Sequence, residues 1–435
     1  MLRLGWEKKR EPFSILRIYT FSCLLFFILS FFNIYEFKVY DSWGLVVFYI
    51  YEGILWIGIK VGRARFYIGD IPRLNSKGST DCFSFIINKQ GKIIISLIFI
   101  AALLSFVYFL VLYSGSFNFG SFGQSIKAEF DVVARTKLEV VTGFIMQAGS
   151  AVYLIVIGSK SHVSKFTLIM ARVCLFLPGL RGALLGRRFT LAAEALIFFF
   201  AEYGSISKKN RSMNFENKKI IRRIIIVFIA VVLVMLYIFS RRIVFFADEL
   251  FIANAGDMVF KPFWGWGYSL LGDQMNVLAY VSFYVGHAPY AFAYTYAYDY
   301  VDFPRYWGLQ TCRVFIQIIT NLFGLSPSYA EMVRSLSELP RYVGYAGTVI
   351  NDFGMYIAPF ISFLFGVGFA RIERERNTNC ICHSLYPIIQ VACFFAPIYF
   401  FLSVGAIDHV AFWAAILSPL CLVRCNKSRR NDIAV

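Results

Sequence analysis

Two stretches of the chain gather residue types that do chemistry at a membrane surface. The first is Arg181-Gly-Ala-Leu-Leu-Gly-Arg-Arg188, three arginines in one short turn between apolar runs. A guanidinium is a permanently charged planar fork that meets phosphate oxygens two at a time, so a diphosphate is its natural ligand there. Anchoring to anionic headgroups is the plainer use of the same residues. The second stretch carries Glu331, Arg334, Glu338, Arg341 and Tyr342, then Gly344-Tyr-Ala-Gly-Thr-Val-Ile-Asn-Asp-Phe-Gly354, which leads into another apolar run. Asn351 and Asp352 would enter the membrane about a turn below its surface. A carboxyl at that depth is costly unless it faces a wet cavity or is hydrogen-bonded to a neighbouring helix, and both readings stand at this point. Arg334, Arg341 and Tyr342 lie where binding groups collect, at the mouth of a bundle.

The elements that position these residues follow from composition. Of 435 residues 58% are hydrophobic, 19% aromatic and 16% charged, and mean hydropathy is +0.63. A water-soluble surface could not carry that balance. Apolar runs at about 15–35, 43–60, 93–113, 140–158, 166–180, 189–203, 224–240, 346–370, 385–404 and 408–423 approach or exceed the roughly 20 residues that cross a bilayer. A helix satisfies its backbone internally, so the expected fold class is all-α: one polytopic bundle over 1–435, with about ten spans. The run that follows Lys8, Lys9 and Arg10 is too long for a cleavable signal and reads as a retained anchor.

Net charge is +17, yet no stretch interleaves basic and aromatic residues as a nucleic-acid groove does. The Lys and Arg serve topology instead. With both termini on one side, 27 of the 43 fall in segments on that side and 14 on the other, which makes it the cytoplasmic side. Residues 241–345 then form a large periplasmic loop. It is rich in Tyr, Trp and Gly, as in Lys261-Pro-Phe-Trp-Gly-Trp-Gly-Tyr268 and Tyr290-Ala-Phe-Ala-Tyr-Thr-Tyr-Ala-Tyr-Asp-Tyr300. Short amphipathic or re-entrant helices are expected in it, for example around 309–324. Its aromatic residues suit an interfacial belt and the stacking faces of sugars alike.

Inside the spans, Arg172 and Glu194 lie 12.5 and 9.5 residues from a turn midpoint placed near 184.5. Their depths would differ by about 4.5 Å, which makes a structural ion pair feasible. Cys380, Cys382 and His383 lack the fourth ligand and paired-cysteine spacing of a zinc site and read as cytoplasmic loop residues; no metal site is expected.

In layout the chain resembles the Wzy-type O-antigen polymerases, the oligosaccharide repeat unit polymerases. The features that carry the likeness are the number of spans, the large outer loop in the second half, Leu180-Arg-Gly-Ala-Leu-Leu-Gly-Arg-Arg188 at the outer end of a span, and the Gly- and Thr-rich lead into a span that ends in Asp352-Phe-Gly354. The resemblance implies a metal-independent glycosyltransferase without a cofactor. The growing glycan on undecaprenyl diphosphate would be the donor and a single lipid-linked unit the acceptor, with a chain-length regulator and a flippase as pathway partners. On that reading Arg181, Arg187, Arg188, Arg334 and Arg341, with Tyr342, contact diphosphate or sugar and stabilise the departing charge. Asp352, Glu338 or His287 takes the acceptor's proton. His287, the one histidine in the large loop, serves equally well as a hydrogen-bonded loop residue. An O-antigen ligase would share this layout, and a flippase of lipid-linked units would differ by internal repeats and the lack of a large loop.

Overall fold

The computed structural model describes residues 13–31, 35–37, 42–68, 84–113, 137–184, 189–204, 258–260, 286–299, 344–398 and 407–425, with isolated positions within 222–234 and at 269–270, 308, 311 and 400. Helices dominate: α1 (Ile15–Phe31), α2 (Ser42–Ile68), α3 (Lys89–Leu112), α4 (Lys137–Gly158), α5 (Lys165–Leu184), α6 (Phe189–Gly204), α7 (Ala288–Asp299), α8 (Gly344–Glu375), α9 (Cys380–Phe395) and α10 (Ile407–Cys421). Among the described residues five helices, α2, α3, α4, α5 and α8, are long and apolar enough to cross a membrane, while α1, α9 and α10 are shorter and apolar. The expected run at 224–240 lies largely outside the described residues.

Burial on α3 shows what solvent these helices meet. Gly91, Ile95, Phe99, Ala102, Ser105 and Phe109 form its buried stripe. Ile93, Leu97, Ile100, Leu104, Val107 and Val111, each more than half exposed, repeat at intervals of three and four on the other face. A helix of a water-soluble protein would be polar there. An apolar outer face on a helix that also has an apolar inner face is suited to hydrocarbon.

Two short antiparallel ladders mark opposite ends of the bundle. β1 (Tyr35–Phe37), in the turn between α1 and α2, pairs with β3 (Met258–Phe260), with Tyr35 opposite Phe260. β2 (Ser84–Ile87), just before α3, pairs with β4 (Leu422–Cys425), just after α10. The first ladder therefore ties the segment after residue 241 to the end of the bundle where α1 stops and α2 starts.

Among the described residues the two largest apolar clusters meet on α9. Ile388, Val391 and Phe395 belong to the cluster built with α3, α4, α5, α6 and α10. Tyr386, Ile389 and Cys393 belong to the one built with α1, α2, α7 and α8. Each set recurs at helical spacing and the two occupy opposite faces, so α9 is a central helix covered on both sides. It begins five residues before and ends nine residues before the expected 385–404, because Pro397 has no N–H with which to continue the ladder. The helix turns at 396–398 through a bond from the Ile398 N–H to the Phe395 carbonyl (2.8 Å).

The tightest pairing is between α2 and α8. A Cβ at Gly366 would lie 2.5 Å from the Leu55 carbonyl oxygen and 2.6 Å from the Ile59 nitrogen, and one at Gly62 would lie 2.8 Å from the Ala370 Cβ. Gly58 and Gly62 on α2 therefore face Gly366 and Ala370 on α8, small residues four apart on both helices. That arrangement lets backbones approach where hydrophobic attraction between helices is absent.

Candidate functional site

Helix α8 is broken. Gly354 has φ 71° and ψ 164°, a region open essentially to glycine alone. Five residues on, Pro359 cannot donate to the Met355 carbonyl, and the Tyr51 hydroxyl donates to it instead (2.5 Å). The break leaves a short leg, 344–353, and a long leg, 355–375, of 21 residues or about 31 Å, enough to span alone.

The short leg is the interior element of this end of the bundle. Every residue from Gly344 to Asp352 is buried. Its start sits beside Phe48 and the Pro397 carbonyl, where Gly344 has φ 66°, and the Tyr345 N–H donates to the Ala396 carbonyl (2.8 Å). Its first turn touches α2 at Phe48 and Glu52, while Met355 beyond its end touches Tyr51. Ten residues of helix thus pass without advancing along α2, so the leg runs across the bundle. Phe48 is six residues inside α2, which sets this crossing roughly 9 Å below the end of that helix.

Polar groups line the leg. Asp352, fully buried, accepts from the Thr311 N–H (2.6 Å) and from the Thr311 hydroxyl. The carboxylate thereby fastens a residue of the long loop to the bundle. Thr348 donates to the Gly344 carbonyl (2.9 Å). Asn351 is buried, and its Oδ1 has no hydrogen-bond partner. The described geometry therefore gives Asp352 a buried contact between elements, the plainer of its two sequence readings.

Glu52 is a site residue that sequence reasoning missed. It is buried on α2, accepts from the Tyr19 hydroxyl of α1, and meets the Ala346 N–H at the start of the short leg. A carboxyl beside a helix N-terminus meets the positive end of the dipole, which favours holding an acid here. Its Oε1 has no hydrogen-bond partner. Glu52 also lines a small cavity with Cys23, Phe26, Phe27, Phe48, Tyr49, Pro289 and Pro397. The signal was present in the sequence as a lone acid inside the apolar run 43–60.

His287 is buried at the start of α7, and its carbonyl accepts from the Ala291 N–H (2.8 Å). α7 is one of the short loop helices, placed at 288–299 within the aromatic stretch. Phe292 is buried and stacks on Tyr296, and Ala293 meets α2 at Gly44, so part of the aromatic run is packing. Residue 311 is described within the expected 309–324 helix, and the rest of that segment lies outside the described residues. Arg187, Arg188, Arg334, Glu338, Arg341 and Tyr342 also lie outside them.

Arg181, in the last turn of α5, places its guanidinium over the Phe109 ring of α3 (5.4 Å) and against Gly143 of α4. One residue along α4, the Phe144 ring meets His409 (5.2 Å between centroids), and the Phe144 carbonyl accepts from Trp413 Nε1 (3.0 Å). Arg181 and Asp352 thus belong to the two different halves of the bundle that meet on α9.

The expected pair of Arg172 with Glu194 is corrected. Arg172 donates to Glu202 (2.8 Å from Nε), which Lys160 also approaches (3.0 Å). Glu194 instead accepts from the Gly179 N–H (2.9 Å). The reason is the turn: α5 ends at 184 and α6 begins at 189, so its midpoint is near 186.5, with Arg172 14.5 residues before and Glu202 15.5 after. Their depths then match to roughly 1.5 Å. Cys380, Cys382 and His383 form the first turn of α9, where His383 Nδ1 bonds the Arg376 carbonyl (3.0 Å) and its ring packs on Phe85. Among the described residues no group of three or more His, Cys, Asp or Glu converges as a metal site would.

The class this fold defines is a helical integral membrane protein. No protein-family model, curated protein or solved structure matches the chain.

Proposed function

We propose that this chain polymerises oligosaccharide repeat units carried on undecaprenyl diphosphate, at the periplasmic face of the bacterial inner membrane. The observation that carries the reading is the short leg of α8, a buried half-helix with Asp352 clamped to the loop through Thr311, near one end of the bundle. Broken helices in membrane proteins are tolerated where they are enclosed or line a cavity, and such breaks recur at binding sites. Arg181 supports the same reading. It supplies a fixed charge at the end of α5, and the alternation of helices brings that end to the side where α8 begins.

On this proposal the five crossing helices are joined by α1, α6, α9, α10 and the segment 224–240, which makes ten spans with both termini cytoplasmic. The ladder between β1 and β3 supports placing the 241–345 loop on the side of the α1–α2 turn. The lipid diphosphate would lie against Arg181, Arg187, Arg188 and Arg341, with Arg334 and Tyr342 toward the sugars. Glycosyl transfer needs those donors as the diphosphate leaves. Asp352, Glu338 and His287 are candidates for the base on this reading.

A deletion strain separates this reading from its rivals. Loss of a polymerase leaves surface lipopolysaccharide capped with a single repeat unit, since translocation and ligation continue. Loss of a ligase leaves long polymer on the carrier lipid. Loss of a flippase strands single units on the cytoplasmic face, and that outcome would move the assignment to transport.

A further inference from the structure

The geometry points to Asp408 and His409 as the proton-accepting pair for glycosyl transfer, with His409 the base and Asp408 its positioning residue; this rests on the polymerase reading above. The two residues open α10. His409 Nδ1 lies 2.6 Å from Asp408 Oδ1, and the same oxygen accepts the His409 backbone N–H (2.8 Å). With Nδ1–H donating to the carboxylate, the tautomer is fixed and the lone pair is left on Nε2. Asp408 is buried, its side chain 5% exposed, whereas that of His409 is 28% exposed. Asp408 Oδ2 is buried without a hydrogen-bond partner. The carboxyl is thus an internal strut and the imidazole is the accessible group.

The other three histidines are placed less well. His287 is buried at the start of α7. His162 lies in the turn between α4 and α5, and His383 starts α9, both at the opposite end of the bundle from Arg181. His409 packs on Phe144, and Arg181 packs on the preceding residue, Gly143. A forked cation and a partly exposed imidazole therefore lie within the same turn of α4, with Phe144, Phe412 and Trp413 as aromatic faces. That is the set of groups the reaction asks for. The acceptor hydroxyl oxygen bonds to the anomeric carbon of the donor as the bond from that carbon to the lipid diphosphate breaks. The hydroxyl proton passes to His409 Nε2, and the diphosphate leaves with the electron pair as an anion beside Arg181.

The test uses the full-length protein reconstituted in liposomes with lipid-diphosphate-linked repeat unit extracted from a strain deleted for this gene. H409A and H409Q should lower kcat by roughly 10²- to 10⁴-fold with little change in KM. Free imidazole should restore a measurable part of the H409A rate and none of the H409Q rate, because the larger side chain leaves no room. D408N should lower kcat less than H409A does. H409Q keeps the size of the ring, so a wild-type elution profile and melting temperature for it shows that lost activity is not lost fold. Wild-type kcat in H409A, or a folded but inactive H409A that imidazole does not rescue, would overturn the base assignment while leaving the polymerase reading in place. Wild-type protein that makes no polymer from this substrate would overturn both.

Discussion

Two substitutions on one helix test the close approach of α2 and α8. Adding a methyl to a helical glycine ordinarily stabilises by about 0.5–1 kcal/mol, since alanine loses less conformational freedom. Gly368 is the reference: a Cβ there meets no atom within 4 Å, so Gly368→Ala should show that gain. Two residues away, a Cβ at Gly366 would lie 2.5–2.8 Å from the α2 backbone at Leu55, Gly58 and Ile59. These neighbours are main-chain atoms in a regular helix and cannot swing aside, so the helices must separate by about an ångström. Overpacking of this kind costs roughly 1–3 kcal/mol, which exceeds the propensity gain. Gly366→Ala should therefore be less stable than wild type and Gly368→Ala at least as stable. The measurement is unfolding of detergent-solubilised protein, read by loss of a monodisperse peak after heating, with both variants in one series. Equal melting temperatures for the two variants would mean that α2 and α8 do not pack backbone to backbone, and the site built on their register would fall with that.

Asp352 and Thr311 should couple. In a double-mutant cycle with Asp352→Asn and Thr311→Val, the interaction should be roughly 1.5–3 kcal/mol, as for hydrogen bonds to a charged group, and additive losses would disprove the clamp. Gly354→Val should destabilise by about 1–3 kcal/mol, because a β-branched residue cannot hold φ 71°, and a stable variant would mean that α8 is continuous. For the arginines, Ala at 181, 187, 188 and 341 together should shorten or abolish polymer, and Lys should recover activity only in part; unchanged chain length with protein present in the membrane would remove the diphosphate site. Cysteines at Ser205 and Ser335, probed in intact cells with an impermeant thiol reagent, should react at 335 and not at 205, and the reverse would invert the orientation.

Sequence reading went furthest where a single helix decides the matter. The runs 93–113, 140–158, 189–203 and 408–423 lie close to α3, α4, α6 and α10, because length and apolarity are local properties. It fell short where two elements must be placed together. Arg172 found Glu202 instead of Glu194 because a shift of two residues in the turn changes which side chains share a depth. The glycines of 344–354 were legible as sites of close approach, but not as a break, since a helix and a broken helix have the same composition until a partner such as Tyr51 takes up the freed carbonyl. Asp408 and His409 are not legible as a pair in the sequence because adjacent residues on a helix do not ordinarily face each other, and only the side-chain bond to Nδ1 shows that here they do.

The double burial of α9 has a consequence for biogenesis. One of its faces is completed by α1, whose Ser22 hydroxyl donates to the Phe394 carbonyl and whose flank lies against Tyr386 through the Phe13 carbonyl. These partners are 372 and 373 residues apart. At about 5–20 residues per second, a ribosome emits α9 roughly 20–75 s after α1. Throughout that interval α1 can settle on α2, where the Tyr19 hydroxyl already has Glu52, but its seam for α9 stays open to lipid or to an insertase. Chains arrested before residue 380 should therefore be held by the insertion machinery or degraded, and the last two helices act as the keystone that closes both halves at once.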